Sequence, residues 1–468
     1  MKRKICVLPI LIFALFLAAC GGVVRRTETV YVPGGDYEPE QAAGVLTGRA
    51  TYLGEPVSGV TVTAGGKTAV SNRSGVYALR SAELADGEIL FHKDGYIDAR
   101  KTATKADFAG GAAVNAEMIK IIPQIPNGTD AKVNLYGRTV YQRSDGADEF
   151  FNVAAGFEVA FYGTELTAET RTLAHKRINQ NYTMHTTWRV LVDGSTDPDL
   201  PSLDTKSWMF EEQTIVSGLP LGVHTVKVMK SDDPLVSSCL VRNYRTDGAF
   251  LPAPEKPALK IEAFGDSITS GGDNLLGWRG HPSNSEDVVP HNSNGAATYI
   301  TYAALNLGAQ LNVMSEVGIC LTQTAFGQTK AIERIYGQIS PENAAPWDMT
   351  KYIPDIVVVG LGTNDQNGNM ADFVSSYKTF IKNLAAVYGK GTVFVLVHGF
   401  WDGRHIDGQF VASDDLQAKI QEVADDLKAD GYDMHRVRFE HCPVLHPDVG
   451  GHKDAGDRLT AYLKGLGY

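Results

Sequence analysis

Three short segments in the C-terminal half of the chain contain the residue types of nucleophilic acyl chemistry. They are Gly265-Asp266-Ser267, Gly362-Thr363-Asn364-Asp365 and His446-Pro447. A serine hydroxyl is a poor nucleophile at neutral pH and needs a base within hydrogen-bond reach, normally a histidine. The oxyanion that forms needs fixed donors, and backbone N–H groups and an asparagine amide supply them. Each segment alone is more often a turn, but their combination points to an acyl-transfer site.

The elements around these segments predict how they come together. From about residue 258 onward, short apolar runs at 259–264, 356–361 and 393–398 alternate with helix candidates at 296–307, 371–388, 414–430 and 451–466. This alternation predicts an α/β domain with a parallel sheet covered by helices. Ligands bind at the carboxyl ends of such strands. The first two segments directly follow predicted strands, and the third precedes the last helix, so all three are expected at that edge.

Residues 258–468 resemble an SGNH (GDSL) hydrolase, with the motif blocks in the family's order. The resemblance implies that Ser267 is the nucleophile and that its N–H is one oxyanion donor. It also implies that His446, in the His-Pro block, is the base. Ser315-Glu316-Val317-Gly318 resembles the second block and Gly362-Thr363-Asn364-Asp365 matches the third. They make the Gly318 N–H and the Asn364 amide the other donors.

The stretch upstream of this domain is rich in strand-like runs, including 131–135, 157–162, 188–192 and 223–229. Short strands separated by turns predict a β-sandwich or jelly roll at 123–257. The segments Tyr136–Tyr141, Phe161–Thr164, Val190–Gly194 and Gly222–Val226 precede Lys260–Ser267 in that order. This succession, from about residue 133 to the C-terminus, is similar to carbohydrate esterase family 2, in which a jelly roll precedes the SGNH domain. The resemblance implies removal of acetyl groups from an acetylated polysaccharide such as xylan or glucomannan, and it implies no cofactor.

One position departs from the usual SGNH pattern. The family commonly has an aspartate two or three residues before the histidine, where this chain has Val444 and Pro443. Two alternatives remain for orienting His446, namely a backbone carbonyl or the side chain of Glu440. His452 is a second histidine nearby, but its place at the start of a helix favours a structural or capping role.

Aromatic residues near the motifs are candidates for sugar contacts. Trp401 follows the predicted strand 393–398, and Trp278 lies in the long polar loop 274–294 after Ser267. Aromatic faces suit sugar rings, although tryptophan is also common in protein cores. The loop itself is either a wall of the pocket or a surface insertion, and the sequence favours neither.

The N-terminus predicts export. A basic start, an apolar run and Leu17-Ala18-Ala19-Cys20 resemble a bacterial lipoprotein signal at 1–20, which implies lipidation of Cys20. Residues 21–43 read as a flexible tether. In 44–122 the pattern Gly48…Pro56-Val57-Ser58-Gly59-Val60…Ser74-Gly75-Val76-Tyr77…Gly95-Tyr96 resembles the transthyretin-like regulatory domain of carboxypeptidases. We therefore expect an exported lipoprotein held to the membrane by its lipid, in the outer membrane of a Gram-negative bacterium, facing either the periplasm or the outside.

Composition excludes several classes of function. The 468-residue chain has a net charge of −11, which becomes −14 once the three positive charges of the signal are removed. An acidic chain without a Lys/Arg cluster argues against a nucleic-acid partner, and no zinc motif or phosphate-binding loop occurs, so no metal is expected. Two rival functions remain open: a surface glycan-binding protein with a weak or inactive hydrolase domain, and an esterase acting on cell-wall acetyl groups. The oligomeric state is not determined.

Overall fold

The computed structural model describes residues 29–31, 43–80, 84–140, 144–174, 186–196, 202–205, 207–275, 293–322, 331–366, 368–400, 403–406, 409–412, 414–440 and 446–468. The chain divides into two compact units, Met1–Lys120 and Ile121–Tyr468. No helix in these described ranges is long and apolar enough to cross a membrane.

The first unit contains two main β-sheets around one apolar core. The first sheet consists, in spatial order, of Thr29–Tyr31, Lys67–Val70, Thr61–Ala64, Gly87–His92 and Ala99–Ala103. The second consists of Ala116–Glu117, Val45–Tyr52 and Glu55–Pro56, with Val76–Arg80 also paired to Val45–Tyr52, and a further pair joins Tyr96–Ile97 to Ile119–Lys120. The strand at Thr29–Tyr31 lies inside the predicted tether, so the structure differs from a continuous flexible segment there.

The turn from Asn72 to Gly75 packs closely against the backbone of a neighbouring strand. Asn72 Oδ1 accepts the N–H groups of Ser74 and Val76, at 3.0 and 2.9 Å, and thereby closes the turn before Val76–Arg80. Gly75 has a φ of +74°, and a Cβ at this position would lie 2.4 Å from the carbonyl oxygen of Ala50. Only glycine fits this turn, because it tolerates positive φ and leaves room for the neighbouring backbone. The helix Lys105–Gly110 follows, with Thr104 as its N-cap.

The second unit begins with two antiparallel sheets that share one core. The first has Thr139–Val140, Asp148–Phe150, Ser237–Thr246, Leu166–Ala174 and Glu211–Val216 in spatial order, with Gln124–Ile125 also paired to Ser237–Thr246. The second has Val133–Tyr136, Gly156–Gly163, Gly222–Lys230, Thr186–Val192 and Ser202–Thr205, with Ala249–Phe250 paired to Gly156–Gly163. Buried Phe150, Trp188 and Tyr244 lie in the common core, and the alternation of buried side chains along these strands explains the pairing.

The second unit continues with a five-stranded parallel sheet. Its spatial order is Gln310–Ser315, Lys260–Gly265, Ile356–Gly360, Val393–His398 and Asp433–Arg438. Helices Met370–Tyr388 and Asp414–Ala429 cover one face, and Tyr299–Asn306 and Val449–Gly465 cover the other. The chain order reverses beside Lys260–Gly265, and this reversal creates a crevice at the carboxyl ends of Lys260–Gly265 and Ile356–Gly360.

Shorter elements connect the sheet to its helices. They are the helix Ile332–Ile335, the 3-10 turns Gly295–Ala297, Met349–Lys351 and Thr363–Asp365, and the strand pairs Gln338–Ser340 with Asn343–Pro346 and Gly403–Ile406 with Gln409–Ala412.

The three strands predicted in this domain are present within a residue or two of their expected bounds. The sequence missed Gln310–Ser315 and Asp433–Arg438, the two edge strands, because polar side chains such as Asn312 and Arg436 interrupt their apolar pattern. The helix predicted at 296–307 is interrupted at Thr298, whose extended backbone ends a 3-10 turn and whose side chain accepts the Thr301 N–H.

A buried ion pair joins the two parts of the second unit. We call the two antiparallel sheets of this unit, which lie between Gln124 and Phe250, the β part. Arg138, from the β part, lies 2.9 Å from Glu262 in strand Lys260–Gly265, and both side chains are almost completely buried. Arg138 also donates to the carbonyl oxygens of Tyr336 and Gln338, at 2.6 and 2.7 Å, and Tyr388 donates to Glu262. Since every charged atom here has hydrogen-bond partners, the ion pair fixes the position of the β part against the parallel sheet.

Candidate active site

Ser267 lies in a tight turn directly after strand Lys260–Gly265. The carboxylate of Asp266 accepts the Ile268 N–H at 3.0 Å, and the Gly272 N–H donates to the Ser267 carbonyl oxygen at 2.8 Å. A Cβ on Gly265 would lie 1.9 Å from the Thr269 hydroxyl, so the turn requires glycine there. These bonds hold Ser267 at the carboxyl edge of the sheet, with 7% of its surface exposed.

Ser267 and His446 are in direct contact although 179 residues separate them in the chain. The Nε2 atom of His446 lies 2.9 Å from the Ser267 Oγ, which is hydrogen-bond distance for a base and its nucleophile. His446 is 8% exposed and stands just before helix Val449–Gly465, whose N-cap is Asp448. The sequence motifs therefore meet at the edge where the strand pattern placed them.

The other nitrogen of His446 faces Asp273. Asp273 Oδ2 lies 3.3 Å from His446 Nδ1, and its side chain is about as buried as that of the histidine. Neither alternative from the sequence is the partner observed: Glu440 is 91% exposed and pairs with Arg458 at 3.2 Å. The carboxylate comes instead from the turn after Ser267, six residues on, where a φ of +56° directs the side chain back to the histidine.

The backbone around Asp273 is fixed by its neighbour Asn274. The Asn274 amide donates to the carbonyl oxygens of Asn294 and Ala297, at 3.0 and 3.1 Å, and its own oxygen accepts the Asn294 N–H. Its carbonyl oxygen accepts the Val449 N–H at 3.1 Å, at the start of the last helix. Asn274 thus ties the turn that carries Asp273 to the helix that follows His446.

Two of the expected oxyanion donors lie on the loops after the two strands that neighbour Lys260–Gly265 on either side. Gly318 follows strand Gln310–Ser315 with a φ of +84°, and Asn364 lies in the 3-10 turn after Ile356–Gly360. The Asn364 amide donates to the Ile319 carbonyl oxygen at 2.8 Å, which joins the two loops and leaves its second N–H for another acceptor. The Ser270 hydroxyl donates to that of Ser315 at 2.9 Å and joins the Ser267 turn to them.

Residues 263–453 match the family model described as GDSL-like lipase/acylhydrolase. We call residues 258–468 the GDSL-like domain from here on.

The chain is similar to carbohydrate esterases over more than half of its length. The chain is 29% identical over 322 residues to the cellulase/esterase CelE of Acetivibrio thermocellus, an alignment that covers 66% of this chain but spans only 36% of that relative. It is 25% identical over 281 residues to an acetylxylan esterase/glucomannan deacetylase of Cellvibrio japonicus, covering 58% of this chain and 72% of the relative. Both alignments are long enough to establish similarity to carbohydrate esterases.

Solved structures extend this similarity to the fold. A family two carbohydrate esterase from Clostridium thermocellum, in complex with cellohexaose, superposes with a TM-score of 0.62 at 25% identity, over 72% of this chain and 99% of that one. A family two carbohydrate esterase from Cellvibrio japonicus superposes with a TM-score of 0.60 at 22% identity, over 73% and 97% of the two chains. The many strands followed by a GDSL-like domain are therefore an arrangement that these structures share.

A loop of the β part supports the second motif block. Asp233 Oδ2 accepts the Val317 N–H at 3.1 Å, so it holds the backbone one residue before Gly318. Asp233 is itself buried in a turn, where its other carboxylate oxygen accepts the Leu235 N–H at 2.9 Å. No motif marks Asp233, because it lies 84 residues before the loop it contacts.

Three further polar residues beside the site have structural roles. Burial raises the pKa of Asp266 to about 7, and its carboxylate accepts a hydrogen bond within its own turn. Asp365 accepts the N–H groups of Leu321 and Thr322, on the neighbouring loop. His452 is fully buried, burial lowers its pKa to about 3, and its Nδ1 accepts the Tyr299 N–H at 3.3 Å, as a neutral helix-capping side chain does.

Trp278, Trp401 and Cys20 lie outside the described residues, as does most of the loop 274–294. Cys239 and Cys320 are buried free thiols. Within the parts of the chain that are described, no group of three His, Cys, Asp or Glu side chains is arranged to hold a metal ion.

Proposed function

We propose that this chain is a serine esterase that removes O-acetyl groups from a polysaccharide through an acyl-enzyme. The observation that carries the proposal is the continuous contact from Ser267 through His446 to Asp273, at 2.9 and 3.3 Å. A nucleophile, a base and an orienting carboxylate in that order form the arrangement of a serine hydrolase triad.

The reaction proceeds in two steps. Ser267 Oγ attacks the acetyl carbonyl carbon while His446 Nε2 takes its proton, and Asp273 stabilises the imidazolium that forms. His446 then returns the proton to the departing sugar hydroxyl. Water attacks the acetyl-enzyme with His446 again as the base, and acetate leaves as Ser267 regains its proton.

The oxyanion of both steps lies in the crevice between the three loops. We assign the donors to the N–H groups of Ser267 and Gly318 and to the Asn364 amide, all on loops that hydrogen bonds lock to one another. Rigid donors are needed because they must already point to the position of the oxyanion before the charge develops. The bond between Asp233 and Val317 serves the same requirement.

Acetylated xylan or glucomannan is the proposed substrate. The support is the similarity to CelE and to the acetylxylan esterase/glucomannan deacetylase. We assign Trp401 and Trp278 to sugar contacts, on the argument that aromatic faces pack against sugar rings. The rival interpretation as an inactive glycan-binding protein rests on the missing aspartate and on the two β modules, and the position of Asp273 argues against the first of these two reasons.

The test is acetate release from acetylated xylan, acetylated glucomannan, acetylated peptidoglycan and an aryl acetate. The soluble chain from residue 21 is compared with its Ser267→Ala and Asn364→Ala variants. We expect release from the plant polysaccharides to vanish in the first variant and to fall about 10²- to 10³-fold in kcat in the second. Release from peptidoglycan alone would replace the substrate assignment, and glycan binding without any release would refute the esterase.

We also propose that the chain is an exported lipoprotein anchored at Cys20, in which 44–122 is a transthyretin-like domain and 123–257 a jelly roll. The support is the signal-like start that ends in Cys20 and the paired β-sheets of both regions. Labelled fatty acid should enter the wild-type chain in a Gram-negative host and be absent from Cys20→Ala. Equal labelling of both would refute the anchor.

A further inference from the structure

A second polar cleft lies between the β part and the GDSL-like domain, at the end of the sheet opposite Ser267. Its volume is about 260 Å³, and it is lined by Tyr136, Lys256, Lys260, Asn312, Trp347 and Lys351, among others. We call it the lysine cleft. Lys260 begins strand Lys260–Gly265 and Ser267 follows its end, so the strand separates the two sites by about 20 Å.

The lysine cleft offers hydrogen-bond donors and positive charge. Among the described residues that line it, three are lysines and none has a carboxylate. Asn312 is only 3% exposed, and among the described residues its Nδ2 atom has no hydrogen-bond partner; the same holds for the buried Trp347 Nε1. Buried donors without acceptors cost free energy, and a ligand with acceptor oxygens would satisfy them.

Three carboxylates near the cleft have hydrogen-bond donors in the chain, among them Glu158, which accepts the hydroxyl of the lining residue Tyr136 at 2.6 Å. Asp355 accepts the Lys260 backbone N–H at 2.8 Å, and Asp348 accepts the Thr350 N–H at 3.1 Å. Burial lowers the pKa of Lys256, an effect that Glu158 opposes and the ammonium groups of Lys227 and Lys260 reinforce. The case for an anion rests instead on geometry, because the cleft gathers the ammonium groups of three lysines around one space on a chain whose net charge is −11.

We propose that the lysine cleft is a second carbohydrate site, which binds the carboxylate of a uronic acid residue on the polysaccharide. The volume lies just below the range of about 300–1,000 Å³ of drug-sized pockets, which suits a single sugar residue. The rings of Trp347, Tyr136 and Tyr352 supply the apolar lining that a sugar needs. The ammonium groups of Lys260 and Lys351 pair with the carboxylate, and the Asn312 and Trp347 N–H groups bind ring or hydroxyl oxygens.

The donors favour a carboxylated sugar over a phosphate. Phosphate sites are commonly built from several backbone N–H groups at a helix N-terminus. The one helical turn at this cleft, Met349–Lys351, has Asp348 as its N-cap, and that carboxylate already accepts the Thr350 N–H. That the sugar belongs to a polysaccharide rests on the proposed function, whereas binding in the cleft does not require Ser267.

The test measures binding rather than turnover. The Ser267→Ala chain is titrated with a xylo-oligosaccharide that carries one glucuronic acid residue and with the unsubstituted oligosaccharide of the same length. Calorimetry should show about tenfold tighter binding of the acidic oligosaccharide, and Lys260→Gln or Lys351→Gln should each abolish that difference. Lys428→Gln, on the exposed surface of helix Asp414–Ala429, removes the same charge elsewhere and should leave the difference intact.

The outcomes separate this proposal from the esterase. Equal affinity for the two oligosaccharides, or an unchanged preference in both cleft variants with unaltered melting temperatures, would overturn it. Inorganic phosphate that displaces the acidic sugar at equal concentration would also overturn it and leave an unspecific anion site. If no acetate is released in the activity assay but the charge preference remains, the proposed esterase fails while the cleft stands.

Discussion

Replacing Asp273 by asparagine removes the carboxylate beside His446 while it preserves the shape of the side chain. Asparagine tolerates the left-handed backbone at φ +56° as well as aspartate does, so the turn should persist. Asp273 Oδ1 is buried and, within the described residues, has no hydrogen-bond partner. An uncharged amide loses less hydration on burial, so the melting temperature should stay the same or rise.

The expected loss of activity follows from the length of the bond. A change from aspartate to asparagine in a well-formed triad costs about 10⁴ in kcat. The distance of 3.3 Å between Asp273 and His446 exceeds the 2.7–2.9 Å of strong charge-assisted bonds, so the contact is weaker. A loss of about 2–3 kcal/mol of transition-state stabilisation corresponds to about 30- to 150-fold in kcat.

The assay is the initial rate of acetate release from an aryl acetate, with kcat and KM determined separately. Asp454→Asn is the matched control, because it removes the same charge from the exposed side of helix Val449–Gly465 and should leave kcat within about twofold. In a His446→Ala background, Asp273→Asn should cause no further loss, since residues that act as a unit are not additive. A loss below threefold, or an equal loss in both backgrounds, would refute the role of Asp273 as the residue that orients His446.

Three other predictions test the surroundings of the site. Asp233→Asn leaves one acceptor oxygen for two N–H donors, those of Val317 and Leu235, so kcat should fall about tenfold with the melting temperature unchanged; an unaltered kcat would refute its positioning role. Arg138→Met leaves Glu262 buried without its partner and should lower the free energy of unfolding in urea by about 3–5 kcal/mol, most of which Arg138→Met/Glu262→Leu should restore. The pKa of Asp266 is about 7 in the folded chain, against an ordinary value of 3.8. Between these two pH values the folded chain binds more protons than the unfolded chain, so the free energy of unfolding falls as pH rises. Asp266→Asn should therefore gain stability relative to wild type between pH 4 and pH 7, by up to about 4 kcal/mol, and a pH-independent difference in urea unfolding would contradict this.

The residues of the motif blocks could be identified from the sequence because their chemistry is local. A glycine before the Ser267 turn, an asparagine after a buried strand and a histidine before a helix are each visible as short patterns. The three central strands were also predictable, since strands buried on both faces are apolar at every position. The rule that sites lie at the carboxyl ends of such strands then predicted the contact between Ser267 and His446.

The edge strands were harder to predict for a related reason. Gln310–Ser315 and Asp433–Arg438 pair on one side only, and polar residues stand among their apolar ones, so the apolar pattern weakens. Neither the strand order nor the reversal beside Lys260–Gly265 has a local signature, because both depend on how the helices pack on the two faces.

The sequence by itself determined which chemical groups are available: a serine, a histidine and an asparagine, each on a loop after or before a regular element. Only the tertiary structure decided which carboxylate serves His446, because Asp273 reaches it through one left-handed residue and a separation of 173 residues. The same holds for Asp233, which contacts the Val317 loop from the β part, and for the lysine cleft between the two parts. Such partners are set by packing between distant segments, which periodicity along the chain does not record.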